Sequence, residues 1–233
     1  MRKLFFITMV IAFSVPLIGH IQADETGTSL KDFSQTTPIM QSFNLQSEDI
    51  LGEIIYLPEA EFDEREARAI ISRLDMLPTS ILEKINKAGI EIHLFEGKLT
   101  DQPAAAHLKG EIPRGYKSNK TWDDVPGVGG SKTVLVKIGA SEKGNGHGSI
   151  NLELHELAHS IDRYVYDEIR SNPVFVEIWE QESDLLFPKQ AYFLTYPEEY
   201  FAETFAMYYF GEGSREILKM KAPKTFDFIE SLS

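Results

Sequence analysis

His155, Glu156 and His159 are spaced so that, on a helix, both imidazoles project from one face a single turn apart with a carboxylate beside them. Two such histidines are nitrogen ligands for a zinc ion, and a glutamate between them is positioned to move a proton, so the chemistry implied is metal-assisted peptide hydrolysis. The surrounding residues read as a helix buried through the middle of a domain. Ile150, Leu152, Leu154, Leu157, Ala158, Ile161 and Val165 put apolar groups around much of the segment, and Pro173 is expected to end the run.

A catalytic zinc takes three protein ligands and keeps one position open, so a third ligand must come from elsewhere. About forty residues downstream, Tyr196-Pro197-Glu198-Glu199-Tyr200-Phe201-Ala202-Glu203 begins a helix with proline in its first turn, and the pattern continues to Gly211. Glu199 and Glu203 share one face of it. Burying two carboxylates among Phe201, Phe205 and Met207 is costly without a cation or hydrogen-bond donors. The assignment is Glu199 as third ligand and Glu203 as an outer carboxylate that holds the remaining ring N–H of a ligand histidine; spacing alone also permits the reverse.

The elements that must carry these residues follow from periodicity. Phe62, Ala67, Ile70, Ile71, Leu74 and Leu77 suit an amphipathic helix that Pro78 stops, and Ser80 with Glu83 reads as a capping box opening a second helix to about Lys87. Ile90, Ile92 and Leu94 alternate as a strand, as do Val134, Val136 and Ile138. The order is helices and a small sheet first, then almost entirely helices from Ile150, which is an α+β arrangement. His93 and His107 lie outside the motifs and read as packing or surface residues. His147, in Gly144-Asn145-Gly146-His147-Gly148, either aims the metal helix or reaches the site.

Four separated segments carry a family resemblance: Lys98-Leu99-Thr100-Asp101, Lys120-Thr121-Trp122-Asp123-Asp124-Val125-Pro126-Gly127, Ile150-Asn151-Leu152-Glu153-Leu154-His155-Glu156 and Tyr196-Pro197-Glu198-Glu199. In these, from about Ile54 to the end, the chain resembles the secreted Pro-Pro endopeptidases of Gram-positive bacteria. They belong with the catalytic domain of anthrax lethal factor, whose end is similar to Ala222-Pro223-Lys224-Thr225-Phe226-Asp227-Phe228-Ile229 here. The resemblance implies a zincin-like two-lobed metallopeptidase, with a small mixed N-terminal lobe, a mainly helical C-terminal lobe and the active-site helix between them.

It also implies one zinc held by His155, His159 and Glu199, Glu156 as general base, and Tyr192, seven residues before the glutamate ligand, as a hydroxyl facing the reacting centre. Substrate contacts are implied for Arg114 and Tyr116 of Pro113-Arg114-Gly115-Tyr116, for Glu198, and for Gly130 and Ser131 in a cleft-bordering loop one residue longer than in relatives. The implied reaction is cleavage between two prolines in proline-rich segments of extracellular or cell-surface proteins. The alternatives are a same-fold protease with another target, such as a host signalling protein, and a non-catalytic binding domain of this fold.

Composition agrees with export. Arg2 and Lys3 precede an apolar run from Leu4 to Gly19 and then Ile21-Gln22-Ala23, which reads as a signal peptide over residues 1–23. Residues 24–48 are expected as a flexible lead or partly docked arm, and 49–233 as the peptidase domain. There is no cysteine, so an exported form relies on its core and a metal rather than on disulfides. The formal charge of −13, or −15 once Arg2 and Lys3 leave, argues against nucleic acid and anionic membrane surfaces as partners, and no heptad argues for more than a monomer.

Overall fold

The computed structural model describes residues 27–33, 44–114 and 119–233. The expected signal peptide and Tyr116 lie outside the described residues. Five strands, β1 (Thr28–Ser29), β2 (Ile55–Leu57), β3 (Glu91–Phe95), β4 (Gly127–Val128) and β5 (Thr133–Lys137), form one mixed sheet in the order β1-β2-β3-β5-β4. β2, β3 and β5 run parallel, while β1 and β4 close the two edges antiparallel. Central parallel strands are covered on both faces, and this explains a departure from simple alternation. Ile92, Leu94, Val134 and Val136 face the main core, whereas Phe95 and Leu135 bury the opposite face against Leu99, Ala105 and Val125.

Around the sheet lie α1 (Leu30–Phe33), α2 (Glu48–Ile54), α3 (Glu64–Leu74) and α4 (Thr79–Lys87). Within the segment 24–48, residues 27–33 are docked: β1 pairs with β2, and Leu30 is buried in the main core. Asp63 caps α3 by accepting from the Arg65 and Glu66 N–H groups at 2.9 and 3.2 Å. The capping box expected at Ser80 and Glu83 does not form. Pro78 itself occupies the cap position of α4, so the helix begins two residues earlier and Ser80 falls inside its first turn.

The remainder is helical: α5 (Leu152–Tyr164), α6 (Pro173–Leu186), α7 (Ala191–Thr195), α8 (Pro197–Phe210), α9 (Glu212–Lys221) and α10 (Pro223–Glu230). Asn151 caps α5 through its side-chain oxygen, which accepts from the Leu154 N–H at 3.0 Å. That helix stops at Tyr164, well before Pro173. The chain leaves it through left-handed Asp167 and Glu168, and Pro173 opens α6 instead of ending α5. α8 runs from Pro197 to Phe210 and is buried almost all round, including Glu199 and Glu203. On α6, buried Glu182 accepts from the Lys224 and Thr225 N–H groups at 3.0 and 2.8 Å, capping α10 and tying down the C-terminal motif.

The sheet and α5 meet at Gly129. A β-carbon there would lie 1.8 Å from the Glu156 carbonyl oxygen, so only glycine lets the segment after β4 lie against the metal helix. Gly129→Ala is expected to cost about 3 kcal/mol or more, a fall of roughly 6–12 °C in melting temperature by differential scanning calorimetry. A melting temperature within about 2 °C of wild type would mean this approach is slack.

Candidate active site

α5 and α8 face each other with His155 and His159 on one and Glu199 and Glu203 on the other. Three donor atoms converge: His155 Nε2 and His159 Nε2 lie 3.3 Å apart, and each is 3.4 Å from Glu199 Oε2. Bonds of roughly 2.0–2.1 Å to a tetrahedral ion set neighbouring ligand atoms about 3.3–3.4 Å apart, so this triangle has the dimensions of one face of a zinc coordination shell. Among the described residues this is the group of histidines and carboxylates able to hold a metal ion.

Glu203 stands behind the triangle. Its Oε2 accepts from His155 Nδ1–H at 3.1 Å, and its Oε1 accepts from the Ile150 N–H at 2.9 Å. The first bond fixes the tautomer that leaves the His155 Nε2 lone pair pointing at the centre, and the second ties the start of α5 to α8. Of the two orderings that spacing allowed, the geometry has Glu199 in the triangle and Glu203 outside it.

The electrostatics of the triangle favour a cation. Burial lowers the His155 pKa, yet the bonds to Glu199 and Glu203 outweigh it and hold the imidazole well above its ordinary value. Burial likewise raises Glu199, but His155 and His159 pull it far below the usual carboxylate range. A pocket that draws a proton onto a buried imidazole this strongly is equally suited to a divalent ion between the same groups.

Around the triangle runs a cleft of about 680 Å³, lined among others by Glu156, Tyr192, Glu198, Arg114, Trp122, Phe193, Gly129 and Gly130. Glu156 lies against Gly127 of β4, where an added β-carbon would come 3.1 Å from its Cγ. Tyr192 sits edge-on to Tyr196, with ring centroids 5.5 Å apart. Burial first, then the negative charge of Glu199, pushes its phenol well above the ordinary value, so it stays protonated and able to donate a hydrogen bond. Arg114 donates from Nη2 to Glu198 Oε1 at 2.7 Å, lies 3.5 Å from Glu199 Oε1 and stacks on the Tyr196 ring at 4.1 Å.

One sequence expectation changes. Ser131 does not line the cleft: its hydroxyl donates to the Thr133 carbonyl at 2.5 Å, closing the turn into β5. His147, for which both readings stood open, lines the cleft and also holds the loop before α5: it donates from Nε2 to the Ala140 carbonyl at 2.8 Å and accepts from the Ser149 hydroxyl at 2.6 Å. Burial lowers its pKa and keeps it neutral.

Asp123, within the Thr121–Gly127 motif, organises the loop that carries Arg114. It accepts from the Thr100 hydroxyl at 2.8 Å, the Gly110 N–H at 2.9 Å and the Thr121 hydroxyl at 3.0 Å. These bonds, the Gly110 one first, hold its carboxyl at about 2, below the ordinary 3.8. A depressed carboxylate stabilises the fold in full above the unfolded value and loses that contribution as pH falls toward about 2. Missed at the sequence level were Arg163, Arg170 and Gln190, which also line the cleft. Only Arg163 carried a signal, one helical turn beyond His159.

Residues 42–232 match the family model described as anthrax toxin lethal factor, N- and C-terminal domain. A Pro-Pro endopeptidase of Paenibacillus alvei is 41% identical over 188 residues, 80% of this chain and 86% of the relative. One from Clostridioides difficile is 42% identical over 189 residues, 81% and 85% of the two chains. The solved structure of the Paenibacillus alvei Pro-Pro endopeptidase superposes with a TM-score of 0.75 at 41% identity, covering 79% of this chain and all of that one.

Proposed function

The chain belongs to the anthrax toxin lethal factor family, and from that premise we propose that it is a secreted zinc endopeptidase hydrolysing the bond between two prolines in proline-rich segments of extracellular or cell-surface proteins. The observation that carries this reading is the triangle of His155, His159 and Glu199 donors, 3.3–3.4 Å on a side, opening on the cleft that holds Glu156 and Tyr192. Residues 1–23 act as the export signal, and the peptidase domain comprises a small sheet-containing lobe and a helical lobe, with α5 between them and the cleft along the boundary.

His155, His159 and Glu199 would hold a zinc ion, which would supply Lewis acidity toward a water molecule and the scissile carbonyl. Glu156 takes a proton from the attacking water and delivers it to the leaving nitrogen. The Tyr192 phenol donates a hydrogen bond to the oxygen on which negative charge develops. Glu203 keeps His155 in the required tautomer, and Arg114 holds Glu198 at the cleft wall.

Selectivity for proline rests on what the cleft lacks as well as on what it holds. A proline leaving group offers no N–H for strand pairing, and β4, the strand edging the cleft, is only two residues long. Trp122, Tyr192 and Phe193 give flat faces on which stiff pyrrolidine rings can lie.

The reading is tested with peptides that differ only in a central Pro-Pro, Pro-Ala or Ala-Pro pair, with products mapped by mass spectrometry. Cutting between the two prolines alone is expected; equal cutting at Pro-Ala would overturn the assigned specificity. Tyr192→Phe is expected to lower kcat by about a hundredfold with KM little changed, as loss of one oxyanion donor does. An unchanged kcat would remove Tyr192 from the reaction.

A further inference from the structure

Three arginines line the cleft, and they are not equivalent. Arg114 meets Glu198 and Glu199. Arg170 is neutralised by Asp162, which is fully buried. Its Nε donates to Oδ2 at 2.6 Å, its Nη2 contacts the same oxygen, and its backbone N–H donates to Oδ1 at 2.9 Å. Arg163 has no carboxylate within ion-pair distance among the described residues, on a chain whose formal charge is −13.

Its place in the fold is specific. On α5 it follows His155 and His159 at the same four-residue interval, one turn and about 6 Å further along the same face. Its Nη1 donates to the carbonyl oxygen of Gly130 at 3.2 Å, and its guanidinium lies 5.5 Å from the Tyr164 ring. A cation in the last turn of a helix is favoured by the helix dipole alone, which would account for Arg163 with no ligand. The Gly130 contact goes beyond that, because it draws the head group to the loop at the cleft wall and leaves the other edge of the fork free.

We propose that Arg163 is a specificity-determining residue that selects an acidic side chain of the substrate peptide on one flank of the scissile bond. The inference rests on the endopeptidase reading and deepens it. A guanidinium fork accepts a carboxylate in two parallel hydrogen bonds, which suits aspartate or glutamate better than any neutral side chain. An extended peptide advances about 3.3 Å per residue, so 6 Å from His159 corresponds to the second or third residue from the cut.

The test uses Pro-Pro peptides with neutral flanks into which Asp or Lys is placed singly at each of three positions on either side. For wild type, kcat/KM should favour Asp over Lys on the order of fivefold at one position, the size of a partly exposed ion pair, and the preference should shrink with added salt. Arg163→Glu should invert the ratio at that position, and Arg163→Gln should bring it to about one; the second variant serves if the first does not melt cooperatively. Equal rates for Asp and Lys at every position, or a ratio unaltered by both variants, would overturn the proposal. Dissociation constants of the same peptides for the Glu156→Ala protein give the charge ratio whichever bond is cut. Failure of the Pro-Pro assignment, seen as cutting elsewhere, is thereby separated from failure of this subsite.

Discussion

Glu156→Ala is expected to lower kcat by three or more orders of magnitude while the protein keeps one equivalent of zinc. Proton transfer by a positioned base contributes roughly 10²–10⁴ to a rate, and here the same carboxylate is asked both to take the proton from water and to return it to the leaving nitrogen. Glu156 is not one of the three converging donors, so the group able to hold a metal ion is left whole. Its side chain lies at the cleft wall beside Gly127, so truncation opens space toward solvent instead of leaving a buried cavity. Turnover measured beside metal content by mass spectrometry checks this. Activity within tenfold of wild type would mean that another group moves the proton.

The second large effect separates the two glutamates of α8. Glu199→Ala removes a donor from the triangle and is expected to abolish stoichiometric zinc binding. Glu203→Ala leaves all three donors and should weaken binding only about 10- to 100-fold, as loss of an outer carboxylate does. In chelator the order of harm reverses. Without Glu203 the Ile150 N–H and the His155 Nδ1–H lose their acceptor inside the protein, at a cost of about 1–3 kcal/mol each at most. Glu199→Ala removes a buried charge that the apo-protein balances with Arg114 and by protonating His155. Metal titrations and melting curves with and without chelator give both rankings, and a milder loss of zinc for Glu199→Ala than for Glu203→Ala would show the roles exchanged.

What the sequence made legible was whatever is local. His155 and His159, like Glu199 and Glu203, differ by one helical turn, so spacing alone put each pair on a common face. Pro197 and Gly211 bounded α8 because the physics of helix ends is local as well. Which glutamate joins the triangle was not legible, since it depends on how α8 is rotated against α5. Pro173 was assigned to the wrong helix because the turn at Asp167 and Glu168 is left-handed at non-glycine residues, for which the chain carries no marker. The burial of Phe95 and Leu135 on the second face of the sheet depends on a distant 3₁₀-rich loop that Asp123 holds together. Asp162 and Arg170 are eight residues apart and read as surface charges until the chain folds them into contact.

The most direct measurement is a zinc titration of metal-stripped protein, following cleavage of a Pro-Pro peptide with the products sequenced at each step. Activity absent at the start, rising in proportion to zinc and levelling at about one equivalent, with cutting only between the prolines, is the predicted result. Cleavage that persists without metal, or that returns with zinc at some other bond, would contradict it.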